Sequence, residues 1–392
     1  MPLPLYLLAL AVFAMGTSEF MLAGLLPDIA SDLDVAVGTA GTLTSAYAIG
    51  MVVGAPGVAV LARDWPRRPS LLAFVVTFAA AHAVGALTAS FPVLFATRVV
   101  AALANAGFLA VALTAAAALV PSDAKGRALA VLLAGTTVAT VAGVPGGSVL
   151  GTVFGWRATF WAVAALCLPA ALGILKGVPA GRARDGASGG PTLRAEIAQL
   201  ARPPLVLVML VCALVNAATF GSFTFLAPVV TGTAGLGEWW VSVVLVLFGA
   251  GSFAGVTVAG RLSDRRPGLV VTVGGPLLLV GWPALAVLAA APAALLVLVF
   301  VQGALSFALG GTLITRVVYA AAGAPTLAGS YATAALNVGA AAGPVLAAAT
   351  LGTGAGRLGP LWVSGLLVAA ALLVALPLRA VITADRSTEL LR

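Results

Sequence analysis

The chain has 392 residues, 61% of them hydrophobic and 8% charged, against roughly 25% charged in an ordinary soluble domain. That composition leaves no room for a sizeable water-soluble domain and implies an all-α protein of many membrane spans. The net charge of +8 is carried by loops and not by one patch, so nucleic acid is not an expected partner.

Apolar runs bounded by Pro, Gly and charge predict spans near 4–27, 39–62, 70–90, 93–120, 126–154, 157–178, 204–230, 239–261, 268–291, 293–320, 326–351 and 358–382. No Lys or Arg precedes Arg63, so the first run lacks the basic start of a signal peptide and reads as a retained span. It contains Glu19, the one carboxylate inside these spans. Glu19 lies eight residues before Pro27, roughly 12 Å below the outer end of its helix at 1.5 Å per residue. An ionisable group at that depth is costly and belongs on an internal, functional face. Burial favours its neutral acid, and water or a nearby cation favours its carboxylate, so its exposure can couple it to protons.

The second span carries Tyr47 and the close-packing pair Gly50 and Gly54, and a basic loop with Arg63, Arg67 and Arg68 follows. The third span holds His82, the single histidine, which reads as a packing group because no cluster of metal ligands accompanies it. In the fourth, Arg98 is the one cation not counted with the loops or the tail, and Asn105 shares its face seven residues on. The fifth span is rich in glycine. Cys167 and Cys212, the two cysteines, fall in apolar runs and read as buried free thiols.

The longest break, about 179–203, is rich in Gly, Pro and Arg and reads as a linker between a six-span half at 1–178 and a second at 204–392 with a short tail. Shifting the second half back by 201 residues aligns Pro27 with Pro228, Gly50 with Gly251 and Gly54 with Gly255; with a small offset Pro145 meets Pro344. Two parallel six-span repeats with a substrate site between them are a recurring transporter plan. Under the same shift Glu19 meets Phe220 and Arg98 meets Val299, so the charges belong to the first half alone. The second half offers Asn216, Phe220, Phe223, Gln302, Tyr331 and Asn337 at membrane depth. With Tyr47 and Asn105 they form the candidate lining for a small amphipathic ligand.

One set of alternate loops and the tail carry 17 of the 20 basic residues, and the opposite set carries only Arg157 and Arg357. Both termini are therefore expected on the cytoplasmic side of a cell inner membrane. The two lysines, Lys125 and Lys176, lie outside any phosphate-cradling glycine loop, so ATP hydrolysis by that route is excluded. No cofactor or metal is expected. An intramembrane transferase would need paired carboxylates or a His-rich motif that this chain lacks, so it reads as a transporter and not an enzyme.

In its order of motifs the chain resembles the major facilitator superfamily. Gly16-Thr17-Ser18-Glu19-Phe20 resembles the first-helix signature of proton-coupled exporters, and Arg98 with Asn105 and Gly107 resembles the fourth-helix arginine motif. Gly143, Pro145, Gly146 and Gly147 resemble the antiporter motif of the fifth helix, with Val144 where glycine is usual. Gly260 to Arg266 resembles the cytoplasmic gating motif. Its first-half counterpart keeps Arg67 and Arg68, but Arg63 and Asp64 are exchanged. Trp156 to Trp161 and the first helix are similar to the chloramphenicol-resistance exporters of actinomycetes. The resemblance implies a monomeric twelve-helix antiporter driven by the proton gradient. Glu19 and Arg98 would handle protons, Arg67, Arg68, Asp264 and Arg265 would gate, and an amphipathic drug would be exported by alternating access. A sugar or metabolite exporter and a nutrient symporter use the same fold and remain alternatives.

Overall fold

A computed structural model describes residues 2–61, 65–121, 125–178, 193–263, 267–324 and 327–376. They are helical throughout, with no strand among the described residues. The first half contains α1 (Leu3–Phe20), α2 (Leu26–Asp32), α3 (Val37–Leu61), α4 (Arg67–Leu87), α5 (Phe91–Ala118), α6 (Lys125–Val138), α7 (Val144–Phe154) and α8 (Trp156–Gly177). After a short helix, α9 (Leu193–Ile197), come α10 (Pro203–Thr224), α11 (Leu226–Gly232), α12 (Trp239–Ser263), α13 (Pro267–Leu288), α14 (Pro292–Ala320), α15 (Ala328–Leu351) and α16 (Gly359–Ala375). Proline at the first or second position opens α1, α2, α5, α7, α10, α14 and α16, where its fixed φ suits the first turn and its missing N–H costs no hydrogen bond.

Among the described residues eleven stretches are long and apolar enough to cross a membrane, and the broken helix over residues 125–154 supplies a twelfth. Corresponding helices of the two halves start about 200 residues apart, so the repeat seen in glycines and prolines is a repeat of elements. By contacts the chain divides into two units, Met1–Ala36 with Thr42–Gly189, and Val37–Gly41 with Gly190–Arg392.

Within each unit, glycines set the helix spacing. A Cβ on Gly50 of α3 would stand 2.7 Å from the carbonyl oxygen of Val99 in α5, and one on Gly54 2.9 Å from the Ala106 Cβ. The second unit repeats the device: Gly251 and Gly255 of α12 lie directly against the carbonyls of Phe300 and Ala304 in α14. In a bilayer, where lipid tails are as apolar as leucine, such close backbone contact is what drives helices together.

Three of the predicted spans are not single helices; the seventh passes from α10 to α11 at Phe225. The first stops at Phe20 and runs through a 3-10 turn, Met21–Gly24, into α2, where Pro27 opens a new helix. Glu19 thus lies in the last turn of α1 and not in mid-helix. The fifth passes from α6 to α7 through a π turn, Ala139–Gly143. Pro145 has no N–H for the carbonyl four residues before it, and the ladder widens to i→i+5 over the preceding turn. The corresponding α15 keeps Pro344 within one continuous helix.

The short helices after the first span of each half are tied down alike. Arg157 at the start of α8 forms an ion pair with Asp32 at the end of α2, and Trp156 Nε1 donates to the same carboxylate at 3.3 Å. Arg357 Nη1 donates to the Gly232 carbonyl at the end of α11 at 3.3 Å. The two basic residues of the opposite loop set therefore close equivalent corners of the two units.

Candidate functional site

The C-terminal turn of α1 leaves carbonyls that the helix itself satisfies poorly, and its end carries the negative pole of the helix dipole. Arg98 of α5 reaches this end. Its Nη2 donates to the Ser18 carbonyl at 2.7 Å and its Nη1 to Ser18 Oγ at 2.7 Å, and the guanidinium lies 4.5 Å from the centroid of the Tyr47 ring of α3. Arg98 is 1% exposed, so both hydrogen bonds and the cation–π contact act in a dry interior where they count for most.

Glu19, the neighbour of Ser18, is half-buried. It interacts electrostatically with Arg98 but makes no hydrogen bond to a described residue. The arginine is therefore held on the backbone beside the acid and is not locked to it. Tyr47, 1% exposed, donates its hydroxyl to the Met15 carbonyl at 3.4 Å. Asn105, one turned face beyond Arg98, lies against that tyrosine and directs Nδ2 to the Met51 sulfur at 3.6 Å. Four residues named from sequence, Glu19, Arg98, Tyr47 and Asn105, thus meet in the first unit.

Two residues of this site escaped the sequence reading. Ser18, fully buried, binds Arg98 twice, and His82 of α4 takes part through Ser18 at 2.6 Å between Oγ and Nε2. His82 Nδ1 lies 2.8 Å from the Phe78 carbonyl of its own helix, and the ring packs between Phe78 and Phe160, with centroids 4.3 and 5.7 Å away. The packing expected for His82 is there, but so is a buried polar link to Arg98. The available signal was a hydroxyl beside the sole membrane carboxylate and one histidine in an apolar run.

The antiporter-like segment packs on the same helix. Gly143, in the π turn, lies against Thr17, Gly147 is close to Met21 and to Thr159 of α8, and Gly146 has no neighbour within 4 Å of where a Cβ would stand. Pro145 is buried at the head of α7. The π turn thus brings the fifth span onto the turn that carries Ser18 and Glu19.

In the second unit the position equivalent to Glu19 is aromatic. Phe220 and Phe223 of α10 meet edge to face with centroids 6.3 Å apart, Phe223 lies 4.8 Å from Phe248 of α12, and Phe248 lies 6.2 Å from Phe307 of α14. Three of the other named residues of this unit, Asn216, Gln302 and Tyr331, tie helices together. Asn216 Nδ2 donates to the Leu336 carbonyl at 2.6 Å and Gln302 Nε2 to the Leu278 carbonyl at 3.4 Å, while Asn337 bonds to Thr333 of its own helix. The Tyr331 hydroxyl donates to the Glu196 carbonyl of α9 at 2.9 Å. Of the gating residues, Arg67 and Arg68 are half-buried at the start of α4, and Asp264 and Arg265 lie outside the described residues, as does Asp64. No group of three or more His, Cys, Asp or Glu suited to a metal ion occurs among the described residues. Both cysteines are buried and free.

Residues 8–344 match the family model of the Major Facilitator Superfamily. A chloramphenicol resistance protein of Streptomyces lividans is 79% identical over 98% of each chain. The inner membrane transport protein YdhP of Escherichia coli is 33% identical over 90% of each. A bacterial homologue of the human lysosomal transporter Spinster, solved in an inward-facing state, has a TM-score of 0.71 at 19% identity, covering 97% of this chain and 95% of the other. The likeness over twelve helices in two repeats, the order of motifs and the matched length lead to one family: the chain belongs to the Major Facilitator Superfamily, as a multi-pass membrane transporter and not an enzyme.

Proposed function

We propose that this protein is a proton-driven exporter of small amphipathic drugs, with chloramphenicol or a related phenicol as substrate. The observation that carries the proton part is the half-buried Glu19 beside a buried Arg98 that is anchored elsewhere, which leaves the carboxyl open to a proton. The substrate part rests on the name borne by a relative 79% identical to the chain. A proton entering from outside would neutralise Glu19, favour release of drug outward and then leave inward, by alternating access. Tyr47 and Asn105 in the first unit, and Phe220 and Phe223 with Phe248 and Phe307 in the second, are the surfaces we assign to the drug, an aromatic wall with sparse polar groups. Asn216, Gln302, Tyr331 and Asn337 remain candidates; their polar atoms, like those of Tyr47 and Asn105, already bind protein. Arg67, Arg68, Asp264 and Arg265 are assigned to gating, and the exporter works as a monomer in the cytoplasmic membrane.

Cells that express the protein should accumulate several-fold less chloramphenicol than control cells, and a protonophore should abolish the difference. Equal accumulation with and without the protein removes chloramphenicol as substrate; a difference that survives the protonophore removes the proton as driving ion.

The loop charges support both termini in the cytoplasm, and the two native thiols are about 1% exposed, so single cysteines report topology in the native background. Ser31→Cys in α2 should react with an impermeant maleimide in intact cells, whereas Ala198→Cys after α9 should react only once cells are permeabilised. The opposite pattern inverts the orientation.

A further inference from the structure

We infer that Ser18 and His82 are positioning residues that hold Arg98 on the last turn of α1 and so keep it from pairing with Glu19. The inference rests on the proton-coupled reading given above. Its geometry is one-directional. The Phe78 carbonyl can only accept, so the proton of the His82 ring sits on Nδ1 and donates there at 2.8 Å. Nε2 of the neutral ring is then an acceptor, and its partner at 2.6 Å is Ser18 Oγ, whose hydroxyl must donate to it. With its hydrogen committed to the imidazole, Ser18 Oγ turns its lone pairs to Arg98 Nη1 at 2.7 Å. The Ser18 carbonyl takes Nη2 at the same distance.

Three helices thus contribute to one chain of bonds, from the α4 backbone through His82 and Ser18 to the guanidinium. The ring of His82 is wedged between Phe78 and Phe160, and Ser18 and His82 are at most 1% exposed, so water cannot substitute for either partner. The Nε of Arg98 is buried without a hydrogen-bond partner among the described residues, and the adjacent Glu19 carboxyl makes no hydrogen bond to them. Both halves of an ion pair are present. What separates them is the grip of residue 18 on the arginine. The titratable groups that face this centre are Glu19 from α1, Tyr47 from α3, His82 from α4 and Arg98 from α5, with Cys167 of α8 acting on Tyr47.

Without the acceptor on His82, nothing fixes the Ser18 hydroxyl with its lone pairs toward Arg98, so one of the two anchors of the guanidinium is loosened and the side chain swings to the carboxylate. A cation on Glu19 makes its proton easier to lose, so a lower pH is needed to load it. The test measures chloramphenicol-induced proton release by the purified full-length protein as a function of pH. His82→Leu fills the space between the two phenylalanines without an acceptor, and Ser18→Ala removes the link itself. Both should move the midpoint of proton release by about one pH unit toward acid. His82→Gln, whose amide oxygen can take the Ser18 hydroxyl, should recover at least half of the shift. A wild-type midpoint in both His82→Leu and Ser18→Ala overturns the inference, as does a smaller amplitude at an unchanged midpoint, or a His82→Gln protein indistinguishable from His82→Leu. If His82→Leu does not fold, Ser18→Ala decides alone. Glu19→Gln run alongside separates the two layers. Proton release that persists in it rejects the proton-coupled reading, whereas silence in Glu19→Gln with wild-type midpoints in the others rejects only the positioning role.

Discussion

Replacing Glu19 by Gln should abolish uphill export while leaving an inserted, folded protein that still binds drug. Gln keeps the size and the hydrogen-bonding groups of the protonated acid and removes only titration, so the variant is locked in the loaded state. The side chain makes no hydrogen bond to a described residue, and Arg98 keeps both its anchors on Ser18 when the charge is removed. Each proton that moves inward releases ~2.3 kcal/mol per 100 mV. At ~1.4 kcal/mol per decade of concentration, that sustains about a fiftyfold gradient of a neutral drug. The wild-type protein in proteoliposomes with an imposed pH gradient should approach such accumulation, and Glu19→Gln should only equilibrate the drug. Full uphill export by the variant would move the proton to another carboxylate, with Asp28 in α2 next in line.

The second large effect expected is on folding. Gly255→Ala adds one methyl group, but its Cβ would fall onto the Ala304 backbone of α14, which cannot rotate away as a side chain can. Either α12 and α14 separate along their contact or the backbone bends. Overpacking of this kind costs about 3 kcal/mol, enough to lower the unfolding midpoint of one six-helix half by roughly 6–12 °C. Gly57→Ala in α3 is the matched control, because no atom lies within 4 Å of where its Cβ would stand and the chemical change is the same. Thermal aggregation of the two detergent-purified variants checks this; equal midpoints would show that the Gly251 and Gly255 contact does not set the helix spacing.

Much of the site was legible because its rarest residues are rare for a reason. A carboxylate or guanidinium inside a bilayer is too costly to be incidental, so Glu19 and Arg98 stood out against the apolar background, and helical spacing added Asn105. The repeat was legible through prolines and glycines, since helix starts and close backbone approaches leave no choice of residue. His82 and Ser18 were not, because a lone histidine and a serine are affordable as packing groups and only their mutual distance gives them meaning. The same holds in reverse for Gln302 and Tyr331. Both are polar at membrane depth, yet the first bonds across the seam of α13 and α14 and the second holds α9.

By itself the sequence determined the membrane, the number and order of spans, the repeat and the two charges of the first half. These depend on composition and on local runs of residues, which a one-dimensional pattern contains. The tertiary structure alone decided that Arg98 grips Ser18 and lies beside Glu19 without binding it, that His82 joins them, and that the first and fifth spans break at the turns flanking this site. Helices that are apolar on every side carry no stripe that tells the lipid face from the core face. The rotation of each about its axis is therefore set only by its neighbours, and the bonds that matter join residues 64 and 80 positions apart.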